Sequence, residues 1–168
     1  MRFFSKLSLI GFLVSVVFGL ASCGGGGGGG GAPVITPSGS GSITLDPVTK
    51  VIAGSFTTMN VTNATSAHIH DGNVGVEGPI VIGLLETTPG TWMVPANTVL
   101  NDAQIARLQA GGYYVNVHTT QNPNGEIRGQ LMASSTAPNT FMATLTRAQE
   151  TSAPMKPVPV PAMPMTGY

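Results

Sequence analysis

The sequence predicts an all-β protein, an antiparallel sandwich or barrel of short strands interrupted by one short helix. Three observations carry this. Short runs of alternating or β-branched residues recur between Ile35 and Met132. Turn residues separate them, as at Asp46-Pro47, Asp71-Gly72-Asn73 and Asn122-Pro123-Asn124-Gly125. One segment alone, Asn101 to Gly111, carries helix signals.

Taken in order, Ser42 to Leu45 is the first strand, ended by Asp46-Pro47. Val51 to Met59 alternates, with Val51, Ala53, Ser55 and Thr57 on one face and Ile52, Gly54, Phe56 and Thr58 on the other. Ser66 to His70 follows, and Pro79 opens the apolar run Ile80 to Leu85. Trp92-Met93-Val94 is a short strand. Asn101 is the expected N-cap of a helix of about nine residues, with Asp102 in its first turn and Gly111 as its stop. Ile105 and Leu108, three apart, share its buried face. Gly112 to Thr119 carries tyrosines and valines in alternation, and Glu126 to Met132 is the next strand.

Before the strands comes an address. Arg2 and Lys6 precede an apolar run from Leu7 to Leu20, too short for the ~20 residues that cross a bilayer as a helix. This is the pattern of a secretory signal peptide. Leu20-Ala21-Ser22-Cys23 resembles the lipobox of bacterial lipoproteins, whose cysteine is lipidated and becomes the mature N-terminus. Cys23 is the single cysteine of the chain. Cleavage before it removes two of the seven basic side chains, leaving a small acidic excess and no cysteine for a disulfide. Gly24 to Gly31 are eight consecutive glycines, a tether of roughly 15 Å r.m.s. span. By resemblance to lipoprotein sorting rules, Gly24 after the cysteine favours the outer membrane where the host has one. The expected organisation is a signal peptide (1–22), lipidated cysteine and tether (23–38), sandwich (39–133), a C-terminal strand segment (134–150) and a Pro/Met-rich tail (151–168).

The charge content narrows the function classes. Seven basic and seven acidic side chains in 168 residues amount to 8%, where a soluble domain carries about 25%. No basic excess is present to hold a phosphate backbone, so nucleic-acid binding is excluded. Disorder does not follow from the low charge, because 42% of the residues are hydrophobic. The sequence shows no serine elbow, phosphate loop after a strand or cysteine nucleophile.

Ala67-His68-Ile69-His70-Asp71-Gly72, Gly78-Pro79-Ile80-Val81, Leu100 to Leu108, Gly112 to Thr119, and Asn122 to Leu131 occur in this order. Together they resemble the CHRD (chordin-type) domain over about Gly39 to Leu131. The resemblance implies an Ig-like or superoxide-dismutase-like β-sandwich. It also implies an adhesion or interaction module, since such domains recur in extracellular multidomain proteins. The chain departs from the family pattern in lacking the strand that precedes the proline-rich loop. A matching strand stands instead at the other end, from Phe141 to Glu150. Either residues 140–147 fold back to fill the first strand's place, pairing antiparallel with Glu126 to Met132, or they begin a truncated second copy. The first is favoured, because a dangling alternating strand is an exposed edge.

All three histidines lie in these motifs. His68 and His70, two apart on a strand, point to one face about 7 Å apart along it. His118 ends another strand, on the face of Tyr114 and Asn116. Two imidazoles from one strand and one from another can meet at a metal, and neutral imidazole suits copper, with zinc second. The pattern resembles the copper ligands of copper/zinc superoxide dismutases. No further histidine remains for a second metal, which excludes a two-metal dismutase. The alternative is structural histidines that fix the strand-to-loop junction near Asp71. Met155, Met163 and Met165 stand among prolines in the tail, and their thioethers are soft ligands for Cu(I). Glu126, Arg128 and Gln130 alternate onto one face and read as an ion pair or a solvated face. Asp71 and Glu77 read as turn residues, with cation binding or histidine orientation as the alternative. Tyr113, Tyr114 and Trp92 read as core or rim packing.

The expectation is thus a non-enzymatic cell-envelope lipoprotein with a copper-binding site at His68, His70 and His118. Its partners would be the membrane, through the lipid on Cys23, and a protein or glycan at the cell surface. The alternatives are an adhesion module with structural histidines and a mononuclear copper oxidoreductase.

Overall fold

The computed structural model describes residues 35–151. The signal peptide, Cys23, the glycine run, Met155, Met163 and Met165 lie outside the described residues. Eleven strands and one helix follow one another: β1 (Ser38–Leu45), β2 (Val51–Met59), β3 (Ala64–Asp71), β4 (Ile80–Gly83), β5 (Leu85–Thr88), β6 (Thr91–Met93), β7 (Thr98–Val99), α1 (Asp102–Gln109), β8 (Tyr113–Thr119), β9 (Ile127–Gln130), β10 (Met132–Ala133) and β11 (Thr140–Thr146). A 3-10 turn, Arg147–Gln149, ends the series.

All strand pairs are antiparallel, in the order β4-β3-β8-β9-β11-β1-β2-β6-β5, with β10 on β11 and β7 on β2. The two ends of that order, β4 and β5, are separated in sequence by Leu84 alone. Leu84 is buried, and its N–H donates to the Ala67 carbonyl of β3 at 2.9 Å. The sheet therefore curls nearly closed around one core. Ile43, Ile52, Phe56, Ile69, Val115, Val117, Ile127, Leu131 and Leu145 fill it, each at most 1% exposed. Truncating Phe56 to alanine here costs about 3–5 kcal/mol by the usual measure of core aromatics.

Several boundaries differ from the sequence reading. The first strand starts at Ser38 rather than Ser42, because the Ser/Gly run pairs along its length with both β2 and β11. The glycines let these strands approach. A Cβ on Gly41 would stand 2.1 Å from the Ser55 carbonyl oxygen, and Gly54 sits at φ +152°. The apolar run from Ile80 to Leu85 splits into β4 and β5 where the chain crosses from one sheet end to the other. Glu126 to Met132 likewise splits at Leu131 into β9, against β8, and β10, against β11. The helix has the expected N-cap and an added feature: Asn101 and Gln104 cap each other reciprocally, both bonds 2.9 Å. Leu108 is its buried contact, and Arg107 ties it to β3 through Asp71 at 2.7 Å.

The strand β11 stands in the sheet interior. Ser38 to Thr44 of β1 pair with Thr146 to Thr140 on one side, and Arg128, Met132 and Ala133 pair on the other. Phe141, Ala143 and Leu145 point into the core.

Candidate metal centre

The strands that carry the histidines are β3 and β8, which lie side by side with Ser66 opposite His118, His68 opposite Asn116 and His70 opposite Tyr114. Alternation puts Ala67, Ile69, Val115 and Val117 into the core. It puts His68, His70, Tyr114, Asn116 and His118 on the opposite face. On most exposed sheets that face would meet water, yet all seven residues of β8 are buried. The segments 72–79 and 120–126 and the chain after β11 fold over it.

The three imidazoles converge. One ligand atom from each of His68, His70 and His118 lies within 4.8 Å of the others. His68 Nδ1 and His118 Nε2 are 3.0 Å apart, and the ring centroids of His68 and His118 are separated by 4.9 Å. Three nitrogens at 2.0–2.1 Å from one metal stand roughly 3.3–3.5 Å apart in trigonal or tetrahedral geometry. The His68 Nδ1–His118 Nε2 pair stands just inside that spacing, and the widest separation in the set is within 4.8 Å.

The covering loops set the histidine tautomers. His70 Nδ1 lies 2.9 Å from the Gly78 carbonyl oxygen, and His118 Nδ1 lies 3.0 Å from that of Pro123. A carbonyl only accepts, so each Nδ1 carries the proton and each Nε2 keeps its lone pair. His70 Nε2 is buried with no hydrogen-bond partner. His118 Nε2, as an acceptor, receives the proton of His68 Nδ1. In a metal-bound state His68 would hold its proton on Nε2, freeing Nδ1.

All three histidines titrate below the ordinary imidazole value, with burial as the largest cause. His70 adds to the lowering at His68. The Gly78 carbonyl partly opposes it at His70, where the Arg128 charge adds to it. At His118 the Pro123 carbonyl opposes it, and His68 and His70 reinforce it. Three neutral imidazoles at neutral pH are what a divalent metal requires of its ligands.

The rest of the face is a polar layer. The His70 ring stacks on Tyr114 with centroids 4.9 Å apart and planes 10° from parallel. Arg128 covers the other partner surface, its guanidinium carbon 3.4 Å from the Tyr114 ring centroid. Arg128 Nη2 also donates to the Asn73 and Val76 carbonyls at 2.8 and 2.9 Å. Gln130 donates to Gly72 and Gly111 at 2.9 and 2.7 Å. Glu126 pairs with Arg147 and accepts from Asn122 and Thr119. The solvated-face alternative for Glu126, Arg128 and Gln130 is therefore corrected. They are 5%, 2% and 8% exposed, because the loop 72–79 and the turn after β11 cover them. The expected ion pair is present, made by Glu126. Asp71 serves the helix through Arg107 and does not orient a histidine. Glu77 accepts a hydrogen bond from the Thr151 hydroxyl at 3.3 Å. Trp92, Tyr113 and Tyr114 are all buried.

Sequence reasoning missed Gly78 and Pro123 as histidine supports, since both act through backbone carbonyls. It named Tyr114 and Asn116 as sharing His118's face, which was the available signal for the polar layer.

A nearly closed antiparallel domain, with one capped helix and three histidines gathered on its covered outer face, is a β-sandwich module with a potential metal-ligand cluster. Residues 29–131 match the model of the CHRD domain, and the chain belongs to that family. No curated protein and no solved structure was found to match the chain.

Proposed function

We propose that this CHRD protein is a lipid-anchored, non-enzymatic protein of the cell envelope that holds a copper ion on His68, His70 and His118. The observation that carries the metal reading is the convergence of three ligand atoms within 4.8 Å, two of them on rings oriented by backbone carbonyls. Copper is favoured over zinc by the thioethers of the tail. Thr151, four residues before Met155, bonds to Glu77 beside the histidine cluster. In this reading the thioethers of Met155, Met163 and Met165 are further soft ligands for Cu(I). The lipobox-like Leu20-Ala21-Ser22-Cys23 and the glycine tether support the anchor, and Gly24 after Cys23 supports outer-membrane placement where the host has that membrane.

The test is a copper titration of the full chain beside a variant with His68, His70 and His118 all changed to alanine. Bound copper is measured after competition with a chelator. The proposal expects one retained ion per parent chain and none in the variant. Equal weak binding in both overturns it.

One observation favours a second reading, an envelope interaction module with structural histidines that meets a protein or glycan. His68 and His118 bond to each other, and His70 and His118 bond to carbonyls, as structural histidines do. The mononuclear copper oxidoreductase requires redox turnover at the same site and is tested by assaying the copper-loaded parent.

A further inference from the structure

Beside His70 and His118 lies a cavity of about 200 Å³. Its walls include Tyr114, Asn116, Glu77 and Glu150. Asn116 is 3% exposed; its Nδ2 donates to the Asn124 carbonyl at 3.2 Å, while its Oδ1 is buried with no partner. Buried amide oxygens are rarely left so, and each asks for a donor. His70 Nε2 is a second unpartnered atom at the same cavity. The cavity thus presents an imidazole lone pair and an amide oxygen, with two carboxylates on its wall. The lone pair and the amide oxygen each accept a proton from a donor. A volume of this size holds several water-sized ligands at about 30 Å³ each.

We propose that a metal on His68, His70 and His118 keeps one exchangeable coordination position opening into this cavity, and that the position takes a small neutral ligand carrying its own protons, oriented by a hydrogen bond donated to Asn116 Oδ1. The inference rests on the metal reading above. Water is the simplest such ligand. Asn116 is a positioning residue: it does not bind the metal but fixes the direction in which the ligand's proton points. The histidine nitrogens provide three positions, and catalytic Zn centres with three protein ligands use a fourth for an exogenous molecule.

The experiment uses the full chain loaded with one equivalent of Cu(II), with copper content measured first. Pulsed EPR in deuterated water then reads exchangeable deuterons on a copper-bound ligand, and the histidine nitrogen couplings report whether the centre is intact. The parent and Asn116→Asp, which keeps an oxygen acceptor, are expected to show a well-defined deuteron coupling. Asn116→Leu is expected to lose that definition while retaining copper and nitrogen couplings. Retained copper without an exchangeable first-shell deuteron overturns the cavity ligand and leaves the histidine centre standing. An unchanged coupling in Asn116→Leu overturns the role given to Asn116. A parent that holds no copper overturns both the centre and its open position.

Discussion

The outward faces of the two halves of the sheet are built from the same strand geometry and end up as opposite surfaces. On β3, β8 and β9 that face carries His68, His70, Tyr114, Asn116, His118, Arg128 and Gln130, and it is covered by loops. On β1, β2, β6 and β11 it carries Ser40, Ser42, Ser55, Thr57, Thr91, Met93, Met142 and Thr144. Registers align these in cross-strand rows such as Met142–Ser42–Ser55–Met93. No charged side chain stands in those rows, and Met93 and Met142 are 42% and 55% exposed. The difference shows what a cover requires. The loop 72–79 and turn 120–126 bring carbonyls, and those carbonyls are satisfied by Arg128, Gln130, His70 and His118. The small hydroxyl side chains bond at most to a neighbouring strand, as Thr57 Oγ1 does to the Ser40 carbonyl at 3.4 Å, and their face stays open to water.

Breaking the junction between the two halves is the most severe test. Removing the chain from Ser134 onward strips β11 from between β9 and β1, and with it Phe141, Ala143 and Leu145 from the core. The domain is expected to lose its cooperative melt in calorimetry or circular dichroism; an unchanged melt contradicts this. Next in size is Arg128→Ala. It leaves the Asn73 and Val76 carbonyls and the Tyr114 face unmet in a buried layer, and a loss of about 3 kcal/mol is expected in denaturant unfolding.

The pH response sharpens the same contrast. Each histidine binds its proton less readily folded than unfolded, so the unfolded chain takes up more protons as pH falls. The stability of the metal-free protein is therefore full above the ordinary imidazole value of about 6.5 and declines as pH drops through and below it. The triple histidine-to-alanine variant should lose that part of the slope, as read from melting curves between pH 5 and 8. Smallest of all, Ser42→Ala or Thr57→Ala on the open face should change stability by no more than about 0.5 kcal/mol. A loss comparable to that of Arg128→Ala would mean the open face is covered in solution.

Much of this was legible in the sequence, and the reasons differ by region. Period-2 alternation located β2, β3 and β8, the resemblance to the family's first strand located β11, and Asn101 and Gly111 bracketed the helix by local signals. The His68–His70 spacing and the placement of His118 with Tyr114 and Asn116 put three imidazoles on one face of two strands. Pairing of β3 with β8 then had to supply their convergence, and sequence spacing does not encode pairing. The split at Leu84 was hidden because an apolar run reads the same whether it stays in one strand or crosses to the other sheet end. Arg128 looked like a surface residue because alternation tells which face a side chain takes, not whether a distant loop will cover it.

The place of β11 also sets an order of events. Its partner β1 is made near the start of the domain and must wait for residues 140–146 to be delivered. Until then the facing edges of β1 and β9 lack their shared neighbour, and contacts of such long sequence separation form slowly. A second chain's 140–146 segment offers the same hydrogen bonds and the same Phe141, Ala143 and Leu145. Incomplete chains are thus templates for strand exchange between copies. At high local concentration, the speed with which the last strand arrives decides between a closed monomer and an interlocked pair.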